Sequence, residues 1–157
     1  MRNISKKSKA YIISVAAALA VGVLSALFTM GNMDVYQKIN KPPLSPPSFL
    51  FPVIWAILYI LMGISAAMVY LSNRPGKSSA LLTYGISLAV NFFWSIIFFN
   101  MEAYTFAFIW LVFLLILIIY TIKQYRSISP AAAYLQIPYL LWVAFAGYLN
   151  FVIAILN

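Results

Sequence analysis

The 157-residue chain contains no cysteine and no histidine, and only two acidic side chains, Asp34 and Glu102. Without cysteine there is no disulfide framework, thiolate ligand or haem attachment motif, and redox chemistry gives no compartment. Without histidine the commonest metal and haem ligand and the commonest general base are gone. Both carboxylates fall between the long apolar runs, so no ionisable relay lies within a span, which proton-coupled transport and ion pumping would need. The sequence therefore offers no acid–base or metal site, and it calls for no cofactor.

What is present is apolar. The chain is 65% hydrophobic and only 8% charged, with a mean hydropathy of +0.98, too little polar surface to cover a water-soluble domain. Runs of about 20 apolar residues cross a bilayer core, and five of them use nearly the whole chain. The expected fold is an all-α integral membrane protein: a single domain, 1–157, built as a bundle of five transmembrane helices at about 10–30, 48–71, 78–99, 103–122 and 130–154. A proline-rich first loop covers 31–47.

Details along the chain sharpen this picture. Arg2, Lys6, Lys7 and Lys9 precede the first run, which exceeds the roughly 7–15 residues of a signal-peptide core and reads as a retained span. Ser14, Ala18, Gly22 and Ala26 give that span a face of small side chains suited to close helix approach. The fourth span, nearly all Leu, Ile and Phe, is expected to be the most lipid-exposed. The segment 72–77 reads as a tight turn and 123–129 as a polar loop, with Pro130 opening the last helix.

Charge sets the expected orientation. Arg2, Lys6, Lys7, Lys9, Arg74, Lys77, Lys123 and Arg126 fall on one side, against Lys38 and Lys41 with both carboxylates on the other. The positive-inside rule then places the N-terminus in the cytoplasm and the C-terminus outside. The net charge of +8 is explained by insertion, with membrane lipid as the partner and no nucleic acid needed.

The organising stretch is KPPLSPPSFLFPVIWAILYILMG, residues 41–63. Pro42, Pro43, Pro46 and Pro47 order the loop at low entropic cost. Ser45 or Ser48 is expected to cap the following helix, and Pro52 to bend its start. Beyond it, Phe51, Trp55 and Tyr59 on the second span, Tyr84, Ser87, Asn91, Trp94, Ser95 and Phe98 on the third, and Trp142, Phe145, Ala146, Leu149 and Asn150 on the fifth form stripes at helical spacing. Trp55, Trp94 and Trp142 sit too deep for a headgroup belt. Spacing alone leaves helix packing and a ligand cavity both open, packing being the commoner cause of such stripes. Trp110, on the fourth span, reads as structural.

Three segments carry a resemblance. The paired prolines, Phe-Pro, Trp, Leu-Tyr and Met-Gly of 41–63, the run NFFWSIIFF at 91–99 and the run PYLLWVAFAGYLN at 138–150 resemble, in order, the second, third and fifth helices of the translocator protein / tryptophan-rich sensory protein family. The chain is identified as a bacterial member, although Leu44 and Phe49 stand where the family often has tryptophan, Ser87 where it often has glutamine and Asn100 where it often has glycine. The resemblance implies a membrane receptor or sensor whose pocket between helices binds porphyrin (protoporphyrin IX) and isoquinoline- or benzodiazepine-type drugs. It implies that Trp55, Asn91, Trp94, Trp142 and Ala146 line that pocket, with Phe51, Tyr59 and Phe145 beside them. It implies light-dependent porphyrin breakdown with Trp55 and Trp142 in the catalytic role, porphyrin then being substrate as well as ligand, and a homodimer in the bacterial plasma membrane. Lacking histidine and cysteine, the site should prefer metal-free porphyrin, with Lys38 and Lys41 the cations on that side for its carboxylates. The homodimer is expected to use the small faces of the first span and of Gly63 and Ala67. Carriage of such ligands across the membrane and a non-binding scaffold are the alternatives. No sterol dependence is expected, since Phe151 and the absence of any later Lys or Arg leave the animal sterol motif incomplete.

Overall fold

A computed structural model describes residues 4–157 of the chain. Arg2, one of the charges used to orient the bundle, lies outside the described residues. Among them all regular structure is helical: α1 (Lys6–Thr29), α2 (Val35–Lys38), α3 (Leu50–Leu71), α4 (Lys77–Ser95), α5 (Tyr104–Ile128), α6 (Pro130–Leu135) and α7 (Ile137–Leu156). A 3₁₀ turn, Met30–Asn32, extends α1, and a π turn, Ile96–Asn100, extends α4. With α6 and α7 taken together, five helical segments among the described residues are long and apolar enough to cross a membrane. Helices are the open-ended solution there, because hydrocarbon offers no partner to an unpaired backbone amide.

The small-residue face of α1 packs inside the chain. The Ser14 hydroxyl donates to the Gly63 carbonyl at 2.7 Å. A Cβ on Gly63 would lie 2.5 Å from the Val15 Cα, and one on Gly22 would lie 2.5 Å from the Tyr59 ring. Ala67 is buried as well. Ser14, Gly22 and Gly63 of the faces expected to join two copies are therefore engaged between α1 and α3 of one chain, while Ala26 is exposed.

Several boundaries differ from expectation. The polar loop at 123–129 is not a loop: α5 runs on to Ile128, because Leu114, Ile118, Thr121, Tyr125 and Ile128 continue one buried face at helical spacing. Its outer face of Lys123, Gln124 and Arg126 consists of good helix formers, and a cation in the last turn suits the helix dipole. The last span is two helices. Ser129 caps α6, its Oγ accepting from the Ala132 amide, and the chain breaks at Gln136 ahead of Pro138, which has no N–H and cannot continue a helical ladder. Gln136 is buried at this break and donates to Ser65 Oγ at 3.2 Å, while Ser65 donates to the Ala132 carbonyl at 2.7 Å.

Neither Ser45 nor Ser48 caps α3. The helix starts at Leu50, its first amides bonded to the Pro47 and Ser48 carbonyls, while Ser48 Oγ accepts from Gln37 and Ser45 donates to Pro42. Pro52 is the third residue of α3, where the amide has no helical partner in any case. The most exposed span is α1, not α5: only Ala18, Ser25 and Thr29 of α1 are buried, whereas α5 is held between α4 and α7.

The close contact of α1 with α3 generates a prediction. Gly63→Ala meets backbone rather than a movable side chain and should cost about 1–3 kcal/mol. Gly85→Ala, in open space, should cost nothing. Unfolding of the purified protein in micelles measures both.

Candidate functional site

The helices enclose a cavity of about 330 Å³ between α1, α3, α4 and α7. Its wall on α3 is Phe51, Trp55 and Tyr59; on α4 Asn91, Trp94 and Phe98; on α7 Trp142, Ala146 and Asn150; and Tyr36 and Met33 of the first loop roof it. A hollow of about 370 Å³ between α5 and α7 is a shallow apolar groove on the outside with no tryptophan and almost no polar surface, and so offers far less to recognise a ligand.

The rings interlock. Tyr36 meets Phe51 edge-on at 5.1 Å, and Phe51 meets Trp142 at 5.8 Å. Trp55 contacts Tyr59 at 5.6 Å and Tyr139 at 6.2 Å. Edge-to-face pairs of this kind fix ring orientation beyond what burial alone gives. The π turn after Ser95 widens the helix locally, so that Ser95, Phe98 and Phe99 join Trp94 in facing the cavity.

Few polar groups occur in the wall, and the amides and Trp94 among them are tied. Asn91 Nδ2 donates to the Tyr59 hydroxyl at 2.9 Å, closing the floor. Trp94 Nε1 donates to Asn150 Oδ1 at 3.0 Å, and Asn150 Nδ2 donates to the Tyr104 carbonyl at 2.8 Å. The Trp142 indole N–H is buried without a protein partner. Trp110 ties α5 to α4 by donating to the Val90 carbonyl at 2.8 Å, the structural role expected of it.

Of the residues picked from the sequence, Phe51, Trp55, Tyr59, Asn91, Trp94, Trp142 and Ala146 share this one cavity. Phe145 does not reach it: Phe145 packs behind Trp142 at 5.6 Å and against Tyr148. Lys38 and Lys41 are also outside the wall. Lys38 pairs with Asp34, and the Lys38 ammonium bonded to that carboxylate holds it below the usual carboxylate range. Lys41 donates to the Tyr36 carbonyl at 2.9 Å and lies 4.8 Å above the Tyr36 ring, directly over the roof. Burial pushes the Tyr36 phenol pKa up, so the roof itself carries no charge.

Sequence reasoning missed the fourth wall. Leu19, Gly22, Ser25, Ala26 and Thr29 of α1 line the cavity. Gly22 and Ala26 belong to the small-residue face, expected to serve helix approach and the homodimer; Leu19, Ser25 and Thr29 lie outside that face.

The loop over the cavity is strapped down. Tyr36 donates to the Pro46 carbonyl at 3.0 Å and Gln37 to Ser48 at 2.9 Å. Asn157 accepts from the Asn40 amide and donates to the Asn40 carbonyl, both at 3.0 Å, and Tyr148 donates to the Pro43 carbonyl at 3.2 Å.

A five-span membrane bundle with an uncharged, tryptophan-walled cavity under a proline-rich loop defines the class of protein. The chain belongs to the TspO/MBR family, whose model matches residues 14–156. It is similar to the tryptophan-rich protein TspO of Chlorobaculum tepidum, 36% identical over 146 residues that cover 91% of this chain and 92% of that protein. It is also similar to the tryptophan-rich protein TspO of Archaeoglobus fulgidus, 34% identical, covering 93% of this chain and 95% of that protein. The translocator protein of Bos taurus is 33% identical over 134 residues, 83% of this chain and 79% of that one.

The Trp94–Asn150–Tyr104 tie yields a second prediction. Asn150→Leu strands an indole N–H and a carbonyl and should cost about 1–3 kcal/mol. In that background Trp94→Phe should cost less than in the parent by about 0.6 kcal/mol, the usual worth of a hydrogen bond between membrane helices. A double-mutant cycle on unfolding free energy reads the difference.

Proposed function

We propose that this chain is a membrane receptor or sensor that binds porphyrin and related flat hydrophobic molecules, including isoquinoline- and benzodiazepine-type drugs, between its helices. The observation that carries the reading is the cavity itself: about 330 Å³, uncharged, with Trp55, Trp94 and Trp142 in its wall. That volume lies at the small end of the roughly 300–1,000 Å³ of small-molecule sites, so a porphyrin fills it and extends to its rim. Large π faces with few donors favour a flat, weakly polar ring over a sugar, nucleotide or ion. Trp55 and Trp142 are the indoles placed to exchange an electron with a photo-excited ring, with dioxygen as oxidant, which supports light-dependent breakdown as a second activity.

Receptor is preferred to carrier on the close packing at the inner end of the cavity. The Tyr59–Asn91 bond and the Gly22 and Gly63 contacts seal α1, α3 and α4 beneath it. A homodimer belongs to this reading, on a surface other than the Gly63 face. Carboxylates of a bound porphyrin are assigned to Lys41, the cation over the roof, in preference to Lys38, whose charge Asp34 already takes up.

The orientation in a bacterial plasma membrane follows from the basic end formed by Lys6, Lys7, Lys9, Arg74, Lys77 and Arg126, placed in the cytoplasm. With no native cysteine, single cysteines replacing Asn40 and Arg74 test this directly. In intact cells the first should react with a membrane-impermeant thiol reagent and the second should not; the reverse pattern inverts the topology.

Tryptophan fluorescence titrated with metal-free protoporphyrin in the dark tests the binding reading. Saturable quenching is expected, weakened about tenfold in W55F/W142F if each lost indole removes about 0.5–1.5 kcal/mol, and weakened also by Lys41→Glu. Porphyrin absorbance should then fall only under light and in air, more slowly in the double variant. Absence of saturable quenching returns the aromatic wall to packing.

A further inference from the structure

We infer that the cavity is entered sideways, from the hydrocarbon of the membrane, through a slot between the outer halves of α1 and α3. The inference deepens the binding reading and rests on it for the identity of the ligand.

The two helices touch along one ridge each. On α1 the ridge is Ser14, Ala18, Gly22 and Ala26, spaced by four; on α3 it is Gly63, Tyr59, Ala56 and Pro52. Contact is tight at the inner end, where Ser14 and Val15 meet Gly63 and Gly22 meets Tyr59. One turn further out, Ala26 and Ala56 continue the same ridges and would cover one another if the contact persisted. Both are exposed, as is Pro52 beyond.

At its outer end α1 is tied to α4 instead. Asn100 donates to the Phe28 carbonyl at 2.9 Å, Asn32 donates to Asn100 at 3.0 Å, and Phe28 packs edge-on against Phe92 at 5.6 Å. Held against α3 at the bottom and against α4 at the top, α1 leaves Ala56 and Pro52 of α3 exposed above Tyr59.

Val23, Ala26, Pro52 and Ala56, which edge this gap, also line the cavity. Val23 is 58% exposed, and the neighbouring outward surface is Leu27, Val53, Ile57 and Ile60, all apolar and exposed. A slot with such margins faces lipid, not water. Its small side chains leave an opening that leucine or phenylalanine at the same places would fill. From above, in contrast, the strapped loop closes the direct path. The chemistry that passes is that of molecules already dissolved in the bilayer: flat, largely apolar rings whose polar edge can stay near the headgroups.

The chain's lack of cysteine makes both paths separately blockable. A26C, labelled with a bulky thiol-reactive group that reductant removes, plugs the slot; N40C/N157C, joined as a disulfide, locks the loop. Association and dissociation of metal-free protoporphyrin are followed by stopped-flow tryptophan quenching in lipid nanodiscs. Labelling A26C should slow both rates by about tenfold with little change in Kd, reversibly, while the locked loop leaves them within about twofold. Unchanged rates on labelling, or slowing by the loop lock alone, would overturn the lateral path.

A readout without porphyrin separates this inference from the binding reading. In W94F/W110F/W142F, where Trp55 is the remaining tryptophan, lipids brominated on their acyl chains should quench its fluorescence, and the A26C label should relieve that quenching. If protoporphyrin does not bind but this lipid contact is found, the binding reading fails and the slot stands. If quenching is absent or indifferent to the label, the slot fails.

Discussion

The contact of Gly63 with α1 is the constraint on which the rest of the bundle depends. In hydrocarbon no hydrophobic effect drives helices together, so association comes from close packing and from the few hydrogen bonds that packing permits. Gly63 lets the α3 backbone reach Val15 and lets Ser14 reach its carbonyl. With Gly22 against Tyr59, that pins α1 to α3 along their inner halves. The helix is otherwise sparsely buried, and what it does above the pin is set by Asn100 and Phe92 of α4. The cavity is the space left between α1, α3, α4 and α7 once α1 is tied in these two places.

Keeping that space open requires rings that do not collapse into it. Trp94 is held by Asn150, which is held in turn by the Tyr104 carbonyl, so one amide side chain joins α4, α5 and α7. Tyr59 is held by Asn91 across α3 and α4. Phe51 and Trp142 brace one another and meet the roof through Tyr36. The Asn150 and Asn91 ties use buried polar groups whose alternative in lipid would be no partner at all. The same groups that stiffen the wall are those that leave it uncharged.

How much of this the sequence disclosed follows from the kind of signal each feature emits. Five apolar runs and the tryptophans within them are written in composition and period, and the resemblance of 41–63, 91–99 and 138–150 singled out seven wall residues that the structure brings together. The wall given by α1 was not legible, because Gly22 and Ala26 have almost no side chain to announce a surface. The run of α5 to Ile128 was hidden by Lys123, Gln124 and Arg126, whose polarity resembles a loop although Tyr125 and Ile128 keep the buried face going. The break at Gln136 had a visible cause in Pro138, masked by the continuous apolar run around it. Phe145 illustrates the limit of spacing: it lies three residues from Trp142 on the same helix, yet its ring packs behind that indole instead of into the cavity.

Charge placement then constrains how an acidic aromatic ligand can sit. The cavity wall holds no ionisable cation, so burying a carboxylate there would cost several kcal/mol with nothing to offset it. A ring that enters between α1 and α3 must keep its carboxylates at the upper margin, where Lys41 lies over Tyr36. Under the proposed reading, the apolar edge therefore points down toward Tyr59 and Asn91 and the acidic edge up toward the loop. That orientation presses one face of the ring toward Trp142 and Phe51 and brings its lower edge toward Trp55. Under that reading binding, access and photochemistry share one asymmetry, an uncharged floor at Tyr59 and Asn91 and, above the neutral Tyr36, the Lys41 ammonium, which has no carboxylate partner among the described residues.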